Sequence, residues 1–347
     1  MFRILKALIL LAFLGVICAG GALWWYAQRP LPLGQNNVDL NIPAGSSMRT
    51  AARLTALVVP VQPDILVALA RISGRDTQIK AGSYEVEPGA TPMSLIDQLT
   101  RGDVSLQEVR IPEGWTFHQF RAALDAHEGV SHASKGMSDA DLLAQVVKAE
   151  GSGGPAFNGD KFPEGLFFPD TYLFAKGARD TDILRRAYRL MHKRIDGEWA
   201  KRASDLPYTT PYQALIMASI IEKETGQTKE RPLIAGVFIN RLRKGMLLQT
   251  DPTIIYGMGD KFDGNLRKKD LLEDGPYNSY TRTGLPPTPI ALPGAAAIQA
   301  ALHPADTDAI YFVAKGNGTH EFSSTLEAHN RAVNRYQKKL GGASNAG

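Results

Sequence analysis

The 347-residue sequence predicts an α+β protein with a single N-terminal transmembrane helix, a small region of short strands and helices, and a larger domain of helices and strands. Three observations support this fold class. They are an uncharged apolar stretch near the N-terminus, a turn motif that occurs three times between residues 38 and 128, and an apolar helix pattern that ends in two glutamates. A chain of this length is too long for one small core, so we expect two folded regions.

The first predicted element is a transmembrane helix. Residues 7–25 form a 19-residue stretch without a charge, which is about 28 Å long as a helix and matches a bilayer core. Arg3 and Lys6 precede the stretch and three aromatic residues close it, so the positive-inside rule places the N-terminus in the cytoplasm. A cleaved signal peptide is the alternative, but the stretch is long for one and no Ala-x-Ala site follows it. We therefore expect a cytoplasmic tip over residues 1–6, an anchor over residues 7–26 and a linker over residues 27–37.

A turn motif occurs three times after the linker. Each copy ends a β-like segment, turns at a glycine (Gly45, Gly89 or Gly114) and places Ser or Thr two residues later as a helix N-cap. The pattern predicts alternating short strands and helices over residues 38–128. It resembles the LysM module, a small βααβ fold that binds N-acetylglucosamine polymers; a purely structural α+β region is the alternative. Residues 129–161, with one amphipathic piece at Asp139–Glu150, are predicted to join this region to the next domain.

An apolar helix that ends in two carboxylates is the strongest signal for chemistry. The helix is predicted to run from Tyr212 to Glu224, with Gly226 as its C-terminal cap. An acid beside so many apolar residues is costly unless it is paired or protonated, and the negative end of the helix dipole raises a carboxyl pKa further. Glu222 and Glu224 lie about 200° apart around the helix, so they cannot both face one cleft. One of them is a candidate general acid; the alternative is that both are ordinary surface residues.

Composition excludes several function classes. The net charge is +4 without a basic cluster, so a nucleic-acid partner is not predicted. Cys18 is the only cysteine and lies within the predicted anchor, which excludes a disulfide within one chain. The seven histidines show no metal-ligand spacing, so neither a metal nor another cofactor is expected.

Beyond residue 162 the chain resembles the endolytic murein transglycosylases, the YceG-like family. The motifs that carry the resemblance are PEGLFFPDTY at 163–172, ASIIEKET at 218–225, VFINRL at 237–242, LQTDPTIIYG at 248–257 and YNSYTRTGLPP at 277–287. The resemblance covers nearly the whole chain. It implies a lysozyme-like, YceG-like α+β catalytic domain over residues 162–340. The Gly-, Ser- and Ala-rich composition of residues 341–347 predicts a disordered tail after it.

The resemblance also implies an activity and a location. Such a protein is a single-pass protein of the bacterial inner membrane, and its periplasmic body cleaves the β-1,4 bond between N-acetylmuramic acid and N-acetylglucosamine within nascent peptidoglycan strands. The product is a 1,6-anhydro-muramic end, which terminates strand elongation. Peptidoglycan glycan strands are the implied substrate, and the peptidoglycan synthases of the same membrane are candidate partners.

The resemblance implies roles for individual residues. Glu224 is the implied catalyst, as general acid and then base, with Glu222 as the second choice. Asp170 is expected to be a structural cap, Asn240 and Arg241 to orient the catalytic helix, and residues 320–322 to form a turn. A hydrolytic muramidase, with Asp251 as the nearest second carboxylate, and a non-catalytic glycan-binding scaffold remain alternatives. The candidate sugar-binding residues are Gln249, Thr250, Asp251, Tyr277 and Asn278.

Overall fold

The computed structural model describes residues 2–43, 45–150 and 162–343, and these residues form helices and short strands. The chain divides into two compact units, one of residues 1–108 with 173–178 and the other of residues 109–172 with 179–347. In chain order the first elements are α1 (Phe2–Gln28), β1 (Val38–Ile42), α2 (Met48–Val58), α3 (Pro63–Ile72), β2 (Gly82–Val86), α4 (Pro92–Arg101) and β3 (Leu106–Arg110). They are followed by α5 (Phe117–Asp125), β4 (Val130–Ser131), α6 (Asp139–Glu150), β5 (Thr171–Ala175), β6 (Ala178–Arg179), α7 (Asp180–Trp199) and α8 (Pro211–Glu224). The last elements are α9 (Arg231–Arg243), α10 (Asp251–Met258), α11 (Lys268–Leu272), α12 (Ala295–Leu302), β7 (Tyr311–Ala314), β8 (His320–Ser323) and α13 (Leu326–Ala343).

Helix α1 is long and apolar enough to cross a membrane. Its segment Ile4–Gln28 has a mean hydropathy of 2.4, and none of its most apolar window is buried against the rest of the chain. Its C-terminal end differs, because Ala27 is buried and the Tyr26 hydroxyl accepts a hydrogen bond from the backbone N–H of Gln62. The backbone N–H of Leu31 donates to the carbonyl of Ala90, and the Leu31 side chain is buried in the same core. The chain is thus held to the first unit immediately after the apolar segment.

The first unit has the element order β1–α2–α3–β2, followed by α4. Strands β1 and β2 pair antiparallel, with Val38 opposite Val86 and Ile42 opposite Gly82. The apolar faces of the three helices close over this two-stranded sheet. Alternating short strands and helices are therefore present, as predicted.

The predicted turn motif is confirmed in all three copies. Gly45, Gly89 and Gly114 have φ angles of 79°, 90° and 78°, which a glycine adopts without the steric cost of a Cβ. Each following N-cap hydroxyl accepts a hydrogen bond from a backbone N–H in the first helical turn, and the caps are Ser47, Thr91 and Thr116. Ala44, in the first copy, lies outside the described residues.

The second unit is built around α8. All eight residues from Ala214 to Ile221 are buried, and α8 packs against α12, α9 and α7. A run that is apolar on every side leaves no face for water, so the helix lies in the centre of the unit. The end of α8 is thereby fixed among its neighbours.

Several predicted elements match the structure. Helix α6 occupies the amphipathic piece at Asp139–Glu150, and the transmembrane stretch predicted at residues 7–25 lies within α1. The predicted start of the tail at residue 341 differs from the structure, because α13 runs to Ala343 and residues 341–343 are helical; residues 344–347 lie outside the described residues. Residues 151–161 of the predicted join also lie outside them.

Two local predictions are wrong. Gly226 does not cap α8, because Thr225 is the C-cap in an extended conformation (φ −145°) and its hydroxyl accepts a hydrogen bond from the backbone N–H of Gln227. Residues 320–322 do not form a turn, because they belong to β8, in which His320 pairs with Ala314 of β7. The pairing with β7 gives this short polar segment its extended form.

Candidate active site

A cavity of about 550 Å³ opens at the C-terminal end of α8. Glu224, the last residue of the helix, lines it. Segments that are far apart in the sequence supply the other walls. The lining residues used below are Arg241, Gln249, Asp251, Tyr280, Tyr311, Phe312, His320 and His329.

Glu224 is a half-buried carboxyl with one hydrogen-bonded oxygen. The hydroxyl of Thr250, which is 2% exposed, donates to Glu224 Oε2 at 2.7 Å. Oε1 has no hydrogen-bond partner among the described residues. Burial raises the pKa of Glu224; the Thr250 hydrogen bond opposes this rise, and the nearby charge of Asp251 adds to it. The side chain, which lines the cavity, is therefore suited to holding a proton on its oxygen without a hydrogen-bond partner.

Glu222 lies on another side of the helix and is fully engaged. Its Oε1 accepts a 2.7 Å hydrogen bond from the Arg231 guanidinium, and its Oε2 accepts one of 2.9 Å from the backbone N–H of Gly294. The side chains of this ion pair are only 5% and 6% exposed. Burial raises the pKa of Glu222, but the Gly294 N–H and the Arg231 charge oppose the rise. The two glutamates thus diverge as the helical period predicts, and Glu222 holds α9 and the start of α12 against α8.

The loop before α10 and the first residue of that helix contribute three of the predicted residues. Gln249 lines the cavity with a φ of 49° and is the only non-glycine residue with a positive φ among the described residues. Its neighbour Thr250 is fixed by Ser279, whose hydroxyl accepts a hydrogen bond from the Thr250 N–H at 3.0 Å. Asp251 also lines the cavity, where its Oδ1 accepts a 2.6 Å hydrogen bond from the Tyr280 hydroxyl. A left-handed non-glycine residue stores backbone strain, which concentrates at functional sites.

The β7–β8 hairpin and α9 form another wall. The Arg241 guanidinium donates to the carbonyls of Ile310 and Leu248, both at 2.7 Å, and lies 5.4 Å from the centre of the Tyr311 ring. His320 of β8 contacts the ring of Phe312 edge-on, with ring centres 5.4 Å apart. Arg241 therefore connects the loop that carries Thr250, the hydrogen-bond partner of Glu224, to the residue that precedes the β7–β8 hairpin.

The remaining predicted residues lie away from Glu224. The side-chain amide of Asn278 donates to three carbonyls, those of Asp270, Leu271 and Glu273, so it holds a loop together. The Tyr277 hydroxyl hydrogen-bonds with the hydroxyl of Thr288 at 2.8 Å. The side chain of Asn240 donates to the carbonyls of Thr307 and Ala309, and the Oδ1 of Asp170 accepts from the N–H of Thr171.

A second cavity, of about 960 Å³, is lined by Tyr277 and contains a carboxyl that sequence reasoning missed. Glu164 is 6% exposed; it accepts hydrogen bonds from the Phe117 N–H at 3.0 Å and from the Tyr256 hydroxyl at 3.2 Å. Burial raises its pKa to about 7. Both oxygens of Glu164 accept hydrogen bonds that connect the start of α5 to α10, so its contacts with the described residues give this carboxyl a structural role.

Three ligand atoms elsewhere in the second unit lie within 4.8 Å of one another, on Asp125, His132 and Asp180. The Asp180 carboxylate already accepts hydrogen bonds from the Ser134 hydroxyl and from the N–H groups of Ser134 and Thr181. Those contacts satisfy the most buried member of the cluster and give it a loop-anchoring role.

The cavity residues missed by sequence reasoning are Tyr280, Tyr311, Phe312, His320 and His329. His320 and His329 lie in the segment HEFSSTLEAH, where a strand precedes the last helix. The polar residues at its start are a weak signal on their own, since only the folded hairpin brings them to Glu224.

Known proteins are similar to this chain over most of its length. The family model described as the YceG-like family matches residues 40–335. A Bacillus subtilis (strain 168) protein named endolytic murein transglycosylase is 34% identical over 316 residues, which cover 87% of this chain and 85% of that protein. A Streptococcus pneumoniae protein of the same name is 27% identical over 352 residues, covering 93% of this chain and 63% of that protein. The 2.6 Å crystal structure of a yceG-like protein from Listeria monocytogenes matches with a TM-score of 0.56 and 31% identity, and the match covers 86% of this chain and 99% of that chain.

Proposed function

The chain belongs to the YceG-like family, and on this premise we propose that it is a membrane-anchored endolytic murein transglycosylase. It cleaves the β-1,4 bond between N-acetylmuramic acid and N-acetylglucosamine within a peptidoglycan strand and leaves a 1,6-anhydro-muramic end. The names of the relatives support the substrate and the reaction class.

The observation that carries the proposal is the environment of Glu224. Its carboxyl has a raised pKa, one oxygen held by Thr250, and the other oxygen without a hydrogen-bond partner in the described residues, beside a cavity of about 550 Å³. A general acid needs a proton near neutral pH and access to the leaving-group oxygen. Glu222 is less suited than Glu224 on both counts. Arg231 and Gly294 occupy both of its oxygens, and they oppose the rise of its pKa.

One carboxyl is sufficient for the reaction. Glu224 donates its proton to the glycosidic oxygen while the bond from muramic C1 to that oxygen breaks. The resulting carboxylate then accepts the proton of the muramic C6 hydroxyl as O6 closes on C1. The proton returns to Glu224, no water is consumed, and the residue is ready for another cycle.

A hydrolytic muramidase would require a second carboxylate to act as nucleophile or to activate water. Asp251 is the carboxylate that lines the cavity with Glu224, and its Oδ1 accepts a hydrogen bond from Tyr280. In the transglycosylase, Asp251 supports the positive charge that develops at C1 and holds Tyr280. Asp251→Asn should therefore lower the rate without changing the product, whereas in a hydrolase it would abolish cleavage.

The product analysis of three variants tests the proposal. Purified full-length wild type, Glu224→Gln and Glu222→Gln are incubated with peptidoglycan, and the fragments are identified by mass spectrometry. We expect 1,6-anhydro ends from wild type and from folded Glu222→Gln, and none from Glu224→Gln. Reducing muramic ends from wild type, which are heavier by one water, would refute the transglycosylase mechanism. Equal products from wild type and Glu224→Gln would refute the role of Glu224.

The first unit supports a glycan-binding role near the membrane. We propose that it takes part in holding the glycan strand, because its β1–α2–α3–β2 order and the antiparallel pairing of β1 with β2 resemble those of the LysM module. We propose that α1 anchors the chain in the bacterial inner membrane with the catalytic unit on the periplasmic side, because Arg3 and Lys6 precede the uncharged residues 7–25. Gln249, Thr250 and Asp251 are the predicted sugar-binding residues nearest the catalyst, and membrane peptidoglycan synthases are the candidate partners.

A further inference from the structure

We propose that His320 is a substrate-positioning residue whose Nε2 hydrogen-bonds with a hydroxyl or amide group of the bound saccharide, and that Glu230 fixes it for this task. The inference rests on the proposed function, because it places a sugar in the cavity of Glu224. It adds a contact on the β7–β8 side, which none of the predicted binding residues supplies.

Glu230 holds His320 through two contacts. One carboxylate oxygen lies 2.8 Å from His320 Nδ1, and the other accepts a 3.0 Å hydrogen bond from the His320 backbone N–H. The side chains are 12% and 16% exposed, so water competes little with the pair. Phe312 contacts the same ring edge-on and removes another direction of rotation.

The clamp determines what the ring offers to a ligand. A carboxylate only accepts hydrogen bonds, so Nδ1 carries the hydrogen that faces Glu230. Nε2 then has a lone pair in the neutral ring and an N–H in the charged ring, and both can bind a polar sugar group. Among the described residues Nε2 has no hydrogen-bond partner, and His320 lines the cavity that contains Glu224.

Glu230 and His320 make more contacts than are needed to hold the β7–β8 hairpin in place. Glu230 and His320 are 90 residues apart in the sequence, and Glu230 lies in the short turn before α9. A backbone hydrogen bond alone would hold β8 to that turn. The additional contact to Nδ1 orients the imidazole, which matters only if the far nitrogen has a partner.

Two substitutions separate positioning from structural support. In His320→Asn the side-chain amide can still donate to Glu230 from near the Nδ1 position, but the Nε2 group is lost. In His320→Gln a polar group reaches the Nε2 position, while the Nδ1 contact is weakened. The matched control is His303→Asn, because His303 faces Glu198 at 3.5 Å and does not line the cavity of Glu224.

Binding is measured without turnover. Each substitution is combined with Glu224→Gln in the full chain, and calorimetry follows the binding of a glycan oligosaccharide of N-acetylglucosamine and N-acetylmuramic acid. We expect His320→Asn to weaken binding about 3- to 10-fold, the loss of one neutral hydrogen bond. His320→Gln should recover part of the affinity, and His303→Asn should bind like its parent. In chains that retain Glu224, His320→Asn should raise KM more than it lowers kcat.

The outcomes also separate this inference from the proposed function. If wild type cleaves peptidoglycan but His320→Asn binds the oligosaccharide as its parent does, the inference is wrong and the function stands. If the affinity depends on His320 but wild type produces no anhydro ends, the function is wrong and the contact stands. If His320→Asn lowers the thermal unfolding midpoint while leaving affinity and KM unchanged, the role of His320 is only structural. If the Glu224→Gln chain binds no oligosaccharide, the KM of His320→Asn in the chain that retains Glu224 decides, and an unchanged KM refutes the inference.

Discussion

Replacing Thr250 by valine should move the pH dependence of glycan cleavage to higher pH. The Thr250 hydroxyl donates to Glu224 Oε2 at 2.7 Å and lowers the pKa of that carboxyl, against the larger effect of burial. Valine has nearly the same shape but cannot donate. The charged form of Glu224 would lose a stabilising contact that the protonated form needs less.

The size of the shift follows from the hydrogen bond. A hydrogen bond to a charged group contributes about 1.5–3 kcal/mol, and a pKa unit corresponds to about 1.4 kcal/mol. The pKa of Glu224 should therefore rise by about 1–2 units in Thr250→Val. In the proposed mechanism cleavage needs protonated Glu224, so the cleavage rate falls as the pH rises above this pKa. The alkaline limb of the profile should move up by the same amount.

The assay is the initial rate of anhydro-end release from peptidoglycan as a function of pH, for wild type, Thr250→Val and Thr288→Val. Thr288 is as buried as Thr250, at 2% exposed, but its hydroxyl contacts Tyr277 and the carbonyl of Pro289 instead of Glu224. The control should lose stability without a change in the alkaline limb. A limb that stays in place, or moves to lower pH, in a Thr250→Val protein with a wild-type unfolding midpoint would refute the reasoning.

Three further predictions concern stability. Glu222→Gln breaks a buried ion pair with Arg231 and should lower the free energy of unfolding, measured by urea titration, by about 3 kcal/mol. The folded variant should keep its activity, and an unchanged urea midpoint would contradict the prediction. Burial raises the pKa of Glu224 in the folded state above its value in the unfolded state, so ionisation of Glu224 lowers stability as the pH rises through the folded-state pKa. Glu224→Gln should therefore raise the thermal unfolding midpoint, measured by calorimetry, at about pH 8 but not at about pH 4. Gly245 has a φ of 65°, whereas Gly226 has no positive φ. Gly245→Ala should therefore lower the free energy of unfolding by about 1 kcal/mol and Gly226→Ala should leave it nearly unchanged. Equal losses of stability would indicate that Gly226 is the helix cap after all.

Helix α8 could be predicted because its information is local. A run of eight residues, seven of them apolar, predicts burial on all sides, and the helical period alone separates Glu222 from Glu224. The end of the helix was less predictable. Glycine is the commonest residue just after a helix, but the β-branched Thr225 takes the extended conformation first, and its hydroxyl binds the next turn.

The partners of Glu224 could not be predicted from local pattern. Thr250 is 26 residues away in the sequence, and His320 is part of a four-residue strand whose extended form depends on pairing with β7. Strand propensity reflects neighbours across the sheet more than the residue itself. A short polar segment such as HEFS therefore reads equally well as a turn until its partner strand is known.

The motif around α10 shows the limit of assigning a whole motif to one site. Gln249 and Asp251, at its start, line the cavity of Glu224, whereas later residues line the cavity of Glu164. Those later residues are Pro252, Ile255 and Tyr256. Their spacing of three and four positions places them on one face of a helix, and the sequence already contains this spacing. The sequence could thus separate that face from Gln249 and Asp251, which precede it. It could not tell which of the two groups faces the acid, because that depends on where α8 ends relative to α10.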